Sequence, residues 1–429
     1  MLTKLKSQFS TTTINGSILK NMMILASGTA GAQVIAFAAM PIITRIYSPS
    51  DFGVLSIFIA ILSLLVPFAT FRYSVAIPLP RRSQTAVSVL ALSVLLSFAV
   101  AIFMTIVLFF SADYIFELFS VSVLKKYWWL LPIAILGAGA YEALVSWSTR
   151  EKQFKIIAKT KMTQSIASSI VKIVLGFLAF KPFGLLIGHV VAQVAGIGSI
   201  VSQSQAVFLQ NKKHITLSRI FFLAKRYSDF PKYQIASRFL LAFASQTPLM
   251  FVAWMYDSET TGQLALALMV LGIPIALIGS TMGQAYYGEI AKIGKKNILK
   301  IKEITFSIIK KLFVLSIVPF LILVLFGDLL FSFVFGDSWT QAGVFSSILA
   351  FYLVAQFMSA PIINLVNLYE KQKRLFLFNL QRLVLIVLIF LISYYMNLDI
   401  NYSVFLFSIV IGLHYSLIVV YLLRMFKDV

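Results

Sequence analysis

The chain has 429 residues, of which 60% are hydrophobic and only 12% charged. About 257 apolar positions suit roughly twelve membrane helices of about 21 residues, and a soluble domain of this size would carry about twice the charge, so soluble globular and disordered classes are excluded. The 36 basic residues outnumber the 15 acidic ones, for a net charge of +21, but they lie between apolar runs and so read as an orientation signal rather than a nucleic-acid surface; the lack of cysteine excludes disulfides, thiolate metal sites and a cysteine nucleophile.

The polar first 18 residues, with Lys4 and Lys6, precede an apolar run longer than a signal-peptide core, so no cleavage is expected. Apolar runs then predict an all-α polytopic membrane protein with twelve transmembrane helices. The first six are near 19–47, 52–79, 84–110, 128–148, 161–180 and 183–209. A second six follow near 232–256, 262–288, 308–335, 343–368, 375–396 and 401–425. Along 289–307, Ile298, Ile301, Ile304 and Ile308 share one helical face, which fits either an interfacial helix held by anionic lipid or an extension of the ninth span.

Alternate loops differ sharply in charge. One set carries 28 Lys and Arg, among them Arg81, Arg82, Arg150, Lys212, Lys213, Arg219, Lys296, Lys371 and Lys427; the other carries only Lys125, Lys126 and Lys181. Basic loops resist translocation, so both termini are expected in the cytoplasm. Asp51, Asp257, Glu259, Asp328, Asp337 and Asp399 all fall on the expected outer side, and Trp128 and Trp129 sit at an outer boundary as interfacial anchors.

The halves repeat. Tyr47 precedes Gly53 as Tyr256 precedes Gly262, at an offset of 209, and Glu151-Lys152-Gln153 returns as Glu370-Lys371-Gln372, at 219. Six spans per half give both the same orientation, hence two lobes related by a pseudo-two-fold along the membrane normal. The expected division is an N-terminal lobe at 1–209, a cytoplasmic linker at 210–231 and a C-terminal lobe at 232–429.

The run Pro41-Ile42-Ile43-Thr44-Arg45-Ile46-Tyr47-Ser48-Pro49-Ser50-Asp51-Phe52-Gly53 resembles the first outer loop of Wzx-type polysaccharide flippases. These belong to the multidrug/oligosaccharidyl-lipid/polysaccharide exporter superfamily. Arg72-Tyr73-Ser74-Val75-Ala76-Ile77 is similar to the end of their second span. The detailed likeness covers about the first 80 residues. It implies transfer of undecaprenyl-pyrophosphate-linked oligosaccharide, such as an O-antigen unit, across the bacterial inner membrane by alternating access. Lipid-linked oligosaccharide, membrane lipids and other polysaccharide-assembly proteins are the implied partners; no nucleic acid and no cofactor is.

Five bases remain within the predicted spans, Arg45, Arg72, Lys172, Arg238 and Arg382, against one acid, Glu142. An isolated charge there costs at least ~2.5 kcal/mol, so each should face a partner or a wet cavity. Polar stripes accompany them: Gln234, Arg238 and Ser245; Gln164, Ser165, Ser168 and Lys172; Asn379, Arg382 and Ser393. Given the resemblance, Arg72, Arg238 and Arg382 are expected to receive the pyrophosphate with forked hydrogen bonds, with Lys172 helping midway. Snorkelling to the interface is the alternative for the arginines, and Arg45, beside the outer loop, has a structural role or a binding one. Glu142 pairs with a base or carries a coupling ion; His189 and His414 read as packed helix residues.

No G-x-x-x-x-G-K-[ST] motif occurs, and Gly294-Lys295-Lys296 is an ordinary basic loop, so ATP-driven pumping within the chain is not expected. The alternatives are a cation-coupled drug exporter of the same superfamily, which needs buried acids, and a polyprenyl glycosyltransferase or polymerase. For the latter the longest outer loop offers only Asp113 and Glu117, without an evident partner. A major-facilitator transporter would need more than Arg81-Arg82 between spans two and three.

Overall fold

A computed structural model describes residues 14–119, 121–295, 297–369 and 371–426; Lys4, Lys6, Lys296, Glu370 and Lys427 lie outside the described residues. The first half contains α1 (Ile14–Ile46), α2 (Pro49–Ala69), α3 (Ser83–Leu118), α4 (Leu130–Arg150), α5 (Phe154–Phe177), α6 (Phe183–Val194) and α7 (Ile197–Asn211). A linker helix, α8 (Leu217–Arg226), follows. Then come α9 (Ile235–Met255), α10 (Ser258–Pro274), α11 (Ser280–Ile293), α12 (Ile298–Phe335), α13 (Thr340–Ile362), α14 (Leu365–Leu368), α15 (Gln372–Tyr395) and α16 (Ile400–Arg424). No strand occurs among the described residues.

Among the described residues, eleven segments are long and apolar enough to cross a membrane. The other predicted span is α5, whose Gln164, Ser165, Ser168 and Lys172 dilute its hydropathy. Large apolar side chains stand bare along α3 (Phe98, Ile102, Phe103, Phe109) and α12 (Val314, Val318, Leu325, Leu329). Exposure on that scale suits lipid and not water, and the chain is a multi-pass membrane protein.

Local chemistry sets the breaks. Ser48 and Asp51 cap α2 reciprocally: the Ser48 amide donates to Asp51 Oδ2 (2.9 Å) and the Asp51 amide to Ser48 Oγ (3.2 Å), with Pro49 first in the helix. At the repeat-equivalent place Asp257 caps α10 by accepting from the Thr260 amide at 2.7 Å. The α6–α7 break falls at Gly196, whose φ of 91° suits glycine.

Of the two readings of 289–307, the extension of the ninth span is the one found: α12 starts at Ile298, and Ile298, Ile301, Ile304 and Ile308 pack with Tyr286, Ile290, Leu365 and Leu422. The amphipathic helix lies instead in the linker. There α8 buries Ile220 and Leu223 and exposes Leu217, Phe221 and Phe222. Asp328, read from sequence as lying on the outer side, is within α12 just past a kink at Phe326.

The chain forms two compact units. One takes the described residues up to Ala39 with Leu62–Ala112 and Lys126–Phe239; the other takes Met40–Ile61, Asp113–Lys125 and Leu240 onward. The first is centred on Trp147, fully buried among Ile77, Val87, Leu90, Ile200 and Leu223, its indole N–H donating to Ser204 Oγ at 3.0 Å. The second has two cores, one around Phe345, Leu349, Phe390 and Phe407, the other around Tyr286, Ile301 and Leu422.

Within the second unit the repeat becomes a contact. A Cβ on Gly53 would stand 1.7 Å from the Ser258 carbonyl oxygen, and one on Gly262 would stand 1.8 Å from that of Pro49. The same offset of 209 relates Gly53 to Gly262 and Pro49 to Ser258, so each glycine meets the partner repeat's first helical residue. Ser50 and Ser258 hydroxyls add a bond of 2.8 Å. Such reciprocal exchange is what a two-fold relation produces.

Candidate functional site

The predicted second span does not run to 79. Its helix stops at Ala69, and Phe71 and Arg72 take left-handed φ values of 46° and 62°. For non-glycine residues that costs on the order of 1–3 kcal/mol each, and such strain collects at functional places. A 3-10 turn, Tyr73–Ala76, follows, held by Tyr73 Oη donating to the Ala224 carbonyl at 2.9 Å. The strained turn aims Arg72 at α4, where Nη1 donates to Glu142 Oε1 at 2.5 Å; Ser74 Oγ donates to the same oxygen at 3.1 Å. Arg72 Nε is buried and makes no hydrogen bond. Arg72 is thus neither snorkelled nor alone, and Glu142 is the partner of a base.

The two other first-unit bases occupy different surroundings. Lys172 lies on α5 with its stem along α6, where a Cβ on Gly188 would come within 2.3 Å of Lys172 Cγ. Only a glycine lets the lysine lie flat there. Next to Gly188 on α6, His189 Nε2 is 3.2 Å from Gln193 Nε2. The polar stripe of α5 therefore faces its own bundle: Ser165 Oγ donates to the Ala32 carbonyl at 2.7 Å, and Ser168 is buried. Arg238 differs. It is exposed, one turn into α9 after a π-helical turn at Phe230–Gln234.

In the second unit Arg45 closes α1, where a cation complements the carbonyl end of the helix, and its Nη2 donates to the Phe333 carbonyl at 2.9 Å. That is a structural task. Nearby, Trp339 Nε1 donates to the Thr44 carbonyl at 2.8 Å. Arg382 lies ten residues into α15, about 15 Å from the helix start. Its Nη1 donates to Tyr415 Oη at 2.8 Å, while Nε is buried and unbonded. His414 is buried and lines the same cavity.

Each unit thus gives its arginine a partner of its own: Arg72 donates to Glu142 in the first, and Arg382 to Tyr415 in the second. The sequence reading missed Tyr415 and Gln356; a hydroxyl-bearing aromatic in mid-span was the available signal for the first. Asp113 and Glu117, the outer acids an enzyme reading relied on, both pair with Lys125, at 3.6 and 2.5 Å. Among the described residues no three His, Asp or Glu side chains converge as a metal site.

Comparison with known proteins agrees on the architecture. A family described as polysaccharide biosynthesis protein is matched over residues 42–344. No curated protein matches the chain. Among solved structures, the lipid II flippase MurJ in an inward closed conformation is 14% identical with a TM-score of 0.67, covering 94% of this chain and 87% of its own. An inward-facing multidrug resistance MATE family transporter of the MOP superfamily is 16% identical, with a TM-score of 0.63 over 92% of this chain and 96% of that one. A MOP superfamily transporter from Pyrococcus furiosus, described as having a binding pocket of reversed polarity, is 15% identical with a TM-score of 0.59, covering 96% of each. At these identities the likeness concerns the fold, which is the twelve-helix, two-lobed plan read from the sequence.

Proposed function

The chain belongs to the polysaccharide biosynthesis protein family, and from that premise we propose that it is a flippase. It moves undecaprenyl-pyrophosphate-linked oligosaccharide, an O-antigen or similar repeat unit, from the cytoplasmic to the periplasmic leaflet of a bacterial inner membrane. Both termini are cytoplasmic, and the lobes at 1–209 and 232–429 are the parts that alternate. The observation that supports this reading is the imbalance of charge inside the spans. Glu142 is engaged by Arg72, and neither Arg238 nor Arg382 has a carboxylate partner among the described residues. A membrane interior with surplus cations favours an anionic cargo.

In this reading exposed Arg238 meets the incoming diphosphate first. Arg72 follows once a multiply charged headgroup competes with the single carboxylate of Glu142, since phosphate oxygens accept the same forked bonds. Lys172 contributes from inside the first unit. An inside-negative potential favours outward movement by about 2.3 kcal/mol per charge per 100 mV, so two uncompensated charges gain about twice that. A cation-coupled exporter is the second reading; it requires Glu142 to leave Arg72 and take up an ion. Deleting the protein and recovering lipid-linked oligosaccharide tests the main one. Accumulation on the cytoplasmic leaflet is expected, whereas finished polymer lacking only a later modification would refute it.

A further inference from the structure

Inside the second unit, α13, α15 and α16 line a half-open cavity of about 160 Å3 around Arg382. A water needs only about 10–15 Å3 in this measure, so the cavity has room for a phosphate group together with several waters. Its polar lining comes from Gln356, Ser359, Asn379, Arg382, His414 and Tyr415. These three helices contain no Asp or Glu at all, so the charge of Arg382 finds no counter-ion on the walls that surround it.

The hydrogen bonds leave donors in excess. Arg382 Nη1 and Gln356 Nε2 both donate to Tyr415 Oη, at 2.8 and 3.5 Å, and neither contact uses the phenol's own proton. Ser359 Oγ donates to the Gln356 carbonyl at 2.9 Å. Arg382 Nε is buried without an acceptor. A guanidinium some 15 Å from the helix end, with a spare buried N–H and a neighbouring phenol, lacks an acceptor-rich anion.

We propose that this cavity is an oxyanion site of the second unit, in which Arg382, Tyr415 and Asn379 hold one phosphate group, free or as part of a polyprenyl diphosphate. Arg382 grips two oxygens, Tyr415 and the Asn379 amide donate to the others, and the apolar remainder keeps the sugar out. The site is built wholly within one unit and does not rest on the flippase reading; an export defect and a binding defect are read by different assays.

The test is binding to the purified full-length protein in detergent, by calorimetry, with inorganic phosphate, inorganic pyrophosphate and farnesyl diphosphate as probes. Saturable binding is expected, weakened at least tenfold in Arg382→Gln. Asn379→Leu, which fills the cavity and leaves the arginine in place, is expected to do the same should Arg382→Gln fail to fold. Leu388→Ala, exposed on the same helix, should leave the isotherm unchanged. Farnesyl diphosphate displacing phosphate assigns the site to a lipid headgroup; failure to displace it assigns the site to the free ion. Absence of saturable binding by every probe, or binding indifferent to both pocket variants, overturns the proposal.

Discussion

Gly53→Ala is the most informative single change to the scaffold. The new methyl would lie 1.7 Å from the Ser258 carbonyl oxygen and 2.6 Å from its carbon, and reaching even 3.0 Å requires α2 and α10 to part by more than 1 Å. A backbone oxygen cannot swing aside as a side chain can, so the cost sits at the upper end of overpacking, about 3 kcal/mol. Losing the Ser50–Ser258 bond adds about 1 kcal/mol, and the better helix propensity of alanine returns nearly as much. The net is about 3 kcal/mol. Because the contact is reciprocal, Gly262→Ala, at 1.8 Å from the Pro49 oxygen, should cost the same. Gly272→Ala on the same α10 meets nothing within 4 Å and should be neutral or slightly stabilising. Thermal unfolding of the three purified variants, beside polysaccharide export in cells, reads this directly. If both alanines at the crossing melt with Gly272→Ala, or if one is severe and the other silent, the paired-repeat contact is wrong.

Other changes probe the polar framework. In a double-mutant cycle, Arg72→Gln and Glu142→Gln should couple by about 1–3 kcal/mol in unfolding, and additive effects would show that the pair is not energetically joined. Gln263→Leu removes an amide that donates to the Ser338 carbonyl at 2.6 Å and accepts from the Ala342 amide at 2.9 Å, so the start of α13 is left unsatisfied. A loss of about 2 kcal/mol in the same melting assay is expected, and no loss would contradict it. At the loop between α3 and α4 a hydrogen bond to Glu117 holds the Lys125 proton above the ordinary lysine range. The pair's contribution is therefore complete below the ordinary lysine value and lost only as pH rises through the raised one. The difference in melting between the protein and Lys125→Met should stay flat from about pH 6 to 9, and a difference that disappears within that window would refute the assignment.

Much of the scaffold could be read from residues, because lipid demands long apolar helices and translocation demands asymmetric loops. Even α5, the least apolar span, was legible as an apolar run near 161–180, and charge alternation supported the count that includes it. The interruptions were harder. The left-handed pair at Phe71 and Arg72 carries no glycine to announce it, and the π-helical turns at Phe230–Gln234 and Ile275–Gly279 follow from packing that no window of hydropathy sees. Gly53 and Gly262 were legible as repeat markers, while their role as the point where two helices touch is a three-dimensional fact. The bases were found by counting charges, yet counting could not say which one Glu142 would take. That choice was made by a strained turn seventy residues away, and Tyr415 entered only when α16 was seen against α15.

The account as a whole turns on movement of an anionic lipid-linked sugar between leaflets. Purified protein in liposomes, loaded on one side with fluorescent polyprenyl-diphosphate oligosaccharide, measures it through dithionite quenching from outside. The account predicts transfer well above that of protein-free vesicles, faster under a potential that drives anions across, and lost in Arg238→Gln. Protein-free rates with the wild-type chain, or transfer of a cationic dye in place of the lipid-linked sugar, would contradict it.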